Sequence, residues 1–109
     1  MSFVKVAALS DIPPGQMKAV KVDGKNVLVA NVQGSFHALN NTCNHAHASL
    51  AKGKLEGCVV TCPLHHAQFD VTNGKNLADA KVLFLNMKVK DAQCYKVQVE
   101  GNDVLVSIE

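Results

Sequence analysis

Between residues 95 and 108 the chain reads YKVQVEGNDVLVSI: Tyr95, Val97 and Val99 alternate with Lys96, Gln98 and Glu100, and after "GND" the rhythm resumes at Val104, Val106 and Ile108. A period of two places successive side chains on opposite faces of an extended backbone, so the stretch predicts a hairpin of two strands. The same patterning recurs along most of the chain, and no convincing period of 3.6 interrupts it. In KVDGKNVLV, Asp23 and Gly24 suit the positive φ angles of a second tight hairpin turn. Gly34 separates the apolar runs 27–32 and 35–39, and "DIPPG" at 11–15 is a turn that cannot extend a strand. Strands are expected near 3–7, 17–22, 27–32, 35–39, 57–61, 67–71, 82–90, 93–100 and 103–108, which makes the fold all-β, a barrel or sandwich.

At 109 residues the chain is expected to be one domain, 1–109, able to bury roughly two thirds of its unfolded surface. Apolar residues make up 48% and charged ones 18%, an ordinary globular balance. No apolar run approaches the roughly 20 residues of a membrane helix, and the N-terminus lacks a cleavage region of the signal-peptide kind, so a cytoplasmic protein is expected. A formal charge of +2, with all basic side chains Lys and none Arg, argues against nucleic acid and against bidentate phosphate recognition. Four cysteines in such a chain read as metal ligands or thiols before they read as disulfides.

Two stretches fall outside the alternation, TCNHAHASL at 42–50 and CPLHHAQFD at 62–70. Cys43 and His45 form a C-x-H pair, sixteen residues intervene, and Cys62 and His65 form a C-x-x-H pair. Each loop thus offers one thiolate and one imidazole. Structural zinc groups its cysteines in one knuckle and its histidines in a separate pair, a grouping absent here, so a zinc-stabilised interaction module is the weakest reading. A binuclear iron-sulfur cluster asks for two protein ligands per iron, which two such loops can supply from opposite sides.

These motifs resemble the Rieske ferredoxins that serve oxygenases. The resemblance runs from "DIPPG" and "VKVDGKNVLV" through "CNH", "VTCPLH" and "FDVTNGK" to "GNDVLVSI". It implies a Rieske fold, small antiparallel sheets with a two-loop cluster-binding subdomain at one tip. It also implies one [2Fe-2S] cluster per chain, with Cys43 and Cys62 on the inner iron and His45 and His65 on the outer one. The implied function is single-electron transfer from a flavin-dependent reductase to a terminal oxygenase, by transient docking at the His45/His65 tip. No catalytic residue belongs to the chain itself. The alternative is the small Rieske-like subunit of an NADH-dependent nitrite reductase. The carrier is favoured because the sequence ends just after its last strand, without an added docking segment.

Two departures stand out. His66 takes the place of the family's Gly after the second ligand histidine, which bears on the loop's backbone angles and its exposed rim. A third loop, expected to cover the cluster, reads NLADAKV and lacks the usual Pro. High-potential Rieske proteins carry a disulfide between the cluster loops and hydroxyl donors to the cluster sulfurs; the matching positions here are Ala48, Leu64, Ala67 and Phe69. Without hydrogen bonds to stabilise the reduced cluster, the expected potential is about −150 mV. Exposed histidine ligands would also make that potential pH-dependent in alkali.

Among the remaining residues, His37, His47 and His66 read as solvated polar side chains. Cys58 and Cys94 read as small buried core residues, and Asp70 as the end of a strand before a turn at Asn73 and Gly74. Ala46, Ala48 and Leu64 form an expected apolar rim for a weak, transient contact.

Overall fold

The computed structural model describes residues 2–42, 48–64, 66–82 and 85–108. Within them the strands are β1 (Val4–Ala8), β2 (Met17–Val22), β3 (Lys25–Val32), β4 (Ser35–Asn40), β5 (Lys54–Glu56), β6 (Val59–Thr61), β7 (Gln68–Asp70), β8 (Asn76–Ala78), β9 (Ala80–Val82), β10 (Leu85–Met87), β11 (Cys94–Glu100) and β12 (Asp103–Ser107). Two short 3-10 turns, Leu9–Asp11 and Leu50–Lys52, are the helical elements among the described residues, and no helix is long and apolar enough to cross a membrane. All the named pairings are antiparallel. They form a six-stranded sheet ordered β1-β12-β11-β4-β3-β2, a four-stranded sheet β5-β6-β7-β8, and the pair β10-β9.

The turns follow from their residues. Asp23 (φ 48°) and Gly24 (φ 81°) join β2 to β3, with Val22 opposite Lys25, in the left-handed conformations that match the twist of a two-residue hairpin. Gln33 and Gly34 repeat the device between β3 and β4. Asn31, buried, closes the entrance to β2 by donating from Nδ2 to the Ile12 carbonyl (2.8 Å), while its Oδ1 accepts from the Gly34 amide (2.8 Å).

β3 explains how the two larger sheets are joined. Its side chains are buried on both faces: Val27 and Val29 enter one core with Val22, Tyr95, Val104 and Val106, while Leu28 and Ala30 enter another with Leu39, Leu50, Val60 and Phe69. A strand covered on both sides reads as an unbroken apolar run, as NVLVANV does. The second core lies under the segments that carry Cys62.

The structure corrects several expectations. β5 and β8 are present where no strand was expected, and of the expected strand 82–90 the described residues place Val82 at the end of β9 and Leu85–Met87 as β10. NLADAKV is not an open loop, since Asn76–Ala78 and Ala80–Val82 are strands. Cys58 is half-buried and Cys94 exposed, so neither is a fully buried core residue. The phase of β11 decides Cys94: Tyr95 points inward, so its neighbour points out. The inward rhythm fails at Val99, which is 46% exposed near the hairpin end.

Candidate metal centre

Cys62 is the one of the four proposed ligands that lies among the described residues; Cys43, His45 and His65 lie outside them, as do His47 and Ala46 of the expected rim. Cys62 follows β6 directly and is 1% exposed, packed in the second core with Ala67 and Phe69. Its amide donates to the Ala67 carbonyl (2.8 Å), which closes the loop 63–66 at its base. Across that base Gln68 Nε2 donates to Thr61 Oγ1 (3.2 Å).

The other loop is closed in an analogous way. Thr42 and Ser49 form an antiparallel bridge, and the Leu50 amide donates to the Asn41 carbonyl (2.8 Å). Asn41, 6% exposed, then ties both sides together: its Nδ2 donates to Ser49 Oγ (2.8 Å) and its Oδ1 accepts from the Ala51 amide (2.9 Å). Sequence reasoning missed Asn41, because nothing in "LNNTC" distinguishes it from its neighbour Asn40.

The sixteen residues between His45 and Cys62 have a structural purpose. They contain the 3-10 turn Leu50–Lys52 and the hairpin β5–β6, in which Lys54 lies opposite Thr61 and Glu56 opposite Val59. A hairpin returns the chain to the end it left, so the exit of the first loop lies beside the entrance of the second. Gly53 makes this approach possible: an added Cβ would overlap the Thr61 carbonyl oxygen. Its φ of −87° is ordinary, so the requirement is for space and not for conformational freedom.

His66 is exposed and adopts φ 62°, the left-handed region that costs most residues about 1 kcal/mol relative to glycine. The His for Gly exchange therefore leaves the backbone turn intact and changes what the rim displays. Leu64, also on this loop, is 50% exposed, and Ala48 is half-buried.

Asp70 ends β7 and accepts from the Thr72 hydroxyl (2.6 Å) and the Thr72 amide (2.9 Å), contacts that hold its carboxyl below the usual range. The Gly74 amide returns to the Asp70 carbonyl (2.7 Å), the expected turn. Cys94 is exposed as a residue, yet desolvation of its thiol, assisted by the charges of Asp70 and Asp91, raises its pKa. His37 is half-buried and lines a depression of about 200 Å³ with Cys94, Tyr95 and Thr72.

The Rieske [2Fe-2S] domain profile matches residues 2–82. The chain belongs to the Rieske [2Fe-2S] domain family. It is 38% identical over 109 residues to the biphenyl 2,3-dioxygenase ferredoxin component of Rhodococcus jostii RHA1, covering all of this chain and 95% of that one. Its fold superposes on the ferredoxin of carbazole 1,9a-dioxygenase from Nocardioides aromaticivorans IC177 with a TM-score of 0.83, 33% identity and full coverage of both chains. A second solved structure, a complex of reduced oxygenase and oxidised ferredoxin in carbazole 1,9a-dioxygenase, matches with a TM-score of 0.80 and 31% identity over 96% of this chain and 92% of that one.

Membership of this Rieske family brings one [2Fe-2S] cluster to the chain. The described residues fit that group. A thiol buried among apolar side chains, on a loop fixed at its base by backbone hydrogen bonds, suits a soft metal screened from water. Ala67 and Phe69, the positions that the family resemblance matches to the hydroxyl donors of high-potential Rieske proteins, are buried and apolar. Among the described residues Cys58 and Cys94 carry free thiols.

Proposed function

We propose that the chain is the ferredoxin of a multicomponent dioxygenase, carrying single electrons from a flavin-dependent reductase to a terminal oxygenase. Cys43 and Cys62 hold the inner iron, His45 and His65 the outer one, and partners dock transiently at the histidine tip. The whole chain, 1–109, acts as one Rieske domain in the cytoplasm, where the Cys58 and Cys94 thiols persist.

The observation that carries this reading is the match over nearly the full length of a dioxygenase ferredoxin component, with the proposed thiolate Cys62 buried at the base of a closed loop. That full-length match to a ferredoxin component favours the carrier over a nitrite reductase subunit. When bound, the cluster supplies a one-electron couple. The residues set its terms: the burial of Cys62 keeps water from its sulfur, and Ala67 and Phe69 withhold hydroxyl donors, which keeps the potential low.

The test is electron delivery. Purified protein should be reduced by NADH through a flavin-dependent reductase and reoxidised on mixing with an aromatic-ring terminal oxygenase, with product formed only when all three are present. Replacement of His45 by alanine should abolish the visible spectrum and the transfer; an unchanged spectrum in that variant would remove the ligand assignment.

A further inference from the structure

Beside the buried Cys62 lies a depression of about 240 Å³ lined by Lys52, Lys54, Thr61, Cys62, Pro63 and His66, with Gly53 at its floor. Both lysines are exposed, and neither forms an ion pair with any carboxylate among the described residues. No acidic side chain among the described residues lines the depression. The nearest carboxylate along the strand, Glu56, sits at the other end of β5 opposite Val59.

The positions of the two lysines are fixed by the same feature that brings the cluster loops together. They flank Gly53, whose backbone is pressed against the Thr61 carbonyl, so their Cα atoms cannot drift from the entrance to the Cys62 loop. The exposed Leu64 extends that loop with an apolar contact. Unpaired ammonium groups beside an apolar tip steer an encounter without a large desolvation cost, as a transient complex requires.

We propose that Lys52 and Lys54 form a cationic docking edge beside the electron exit, which selects a protein partner bearing Asp and Glu side chains around its own redox centre. This inference rests on the carrier reading above and adds the polarity of the partner's surface. A partner carboxylate enters the depression between the two lysines while Leu64 meets an apolar surface alongside.

The local charge can be read without knowing the partner. Reduced holoprotein is mixed in a stopped-flow instrument with ferricyanide, an anionic oxidant, or with hexaamminecobalt(III), a cationic one. The variant Lys52→Glu/Lys54→Glu is compared with Lys5→Glu/Lys96→Glu, which changes net charge equally on the six-stranded sheet. At about 10 mM ionic strength the first variant should lose roughly tenfold in ferricyanide rate and gain with the cobalt complex, while the second changes by less than about twofold. Both differences should fade above about 0.5 M salt. Equal effects from the two variants, or no effect from the first, would overturn the docking edge. Should charge reversal prevent loading of the cluster, Lys52→Gln/Lys54→Gln provides the same comparison at half the charge change. Absence of the cluster from the unaltered protein would instead defeat the carrier reading.

Discussion

His66 shows how far one side chain can be read from sequence and where the reading stops. The motif marks the position as unusual for a non-glycine residue, and the structure supplies the reason, a φ of 62°. His66→Gly removes a conformational penalty of about 1 kcal/mol, so it should raise the thermal midpoint by a few degrees, measured by circular dichroism; an unchanged or lower midpoint would contradict strain at this turn. Ser107 presents a simpler case. Its hydroxyl is fully buried and has no hydrogen-bond partner among the described residues. Ser107→Ala removes that unsatisfied group and is expected to stabilise the protein by about 1 kcal/mol in urea denaturation. Asp70 is held by the Thr72 hydroxyl first and the Thr72 amide second. Because its carboxyl titrates below its unfolded value of about 3.9, its contribution is present above about pH 4 and is lost as the pH falls through the folded value. Asp70→Asn should therefore be less stable than wild type in urea denaturation at pH 7, by less than about 1 kcal/mol for a group so little screened from water, and converge with it once the pH falls below the folded value.

Among the elements, the hairpin β5–β6 matters most to the site; its second strand falls within the expected 57–61, but its first was not visible. A three-residue strand such as Lys54–Glu56 offers too few positions for a period to register, and the same holds for Asn76–Ala78. The turns at Asp23–Gly24 and Gln33–Gly34 were legible because their chemistry is local to two residues. Gly53 and Asn41 were not, since each is defined by contacts with a distant stretch: Gly53 with Thr61, Asn41 with Ser49 and Ala51. Cys94 was misjudged because hydrophobic character suggests burial while strand phase dictates exposure. Gly53→Ala should force the two cluster loops apart and lower the iron content of the purified protein, with the loss visible in the absorption spectrum. Phe69→Ala, deep in the core beneath Cys62, should cost about 3–5 kcal/mol by chemical denaturation.

At the scale of the whole molecule, two cores share the strand β3, and the sheet they support carries the Cys62 loop at one end. That division puts stability in the six-stranded sheet and chemistry on loops closed at their bases. The proposed ligand set, Cys43, His45, Cys62 and His65, rests on residue types and spacing alone, because cluster chemistry demands particular atoms, whatever fold presents them. The apolar surroundings of Cys62 predict a reduction potential of about −150 mV, and an electrochemical titration giving a clearly positive value would contradict the absence of hydroxyl donors. The account depends above all on the cluster itself. Analysis of anaerobically purified protein for iron and acid-labile sulfide, with an EPR spectrum of the reduced form, should give about two of each per chain and the low average g of a histidine-ligated binuclear centre; zinc in their place, or no iron and no sulfide, would contradict it.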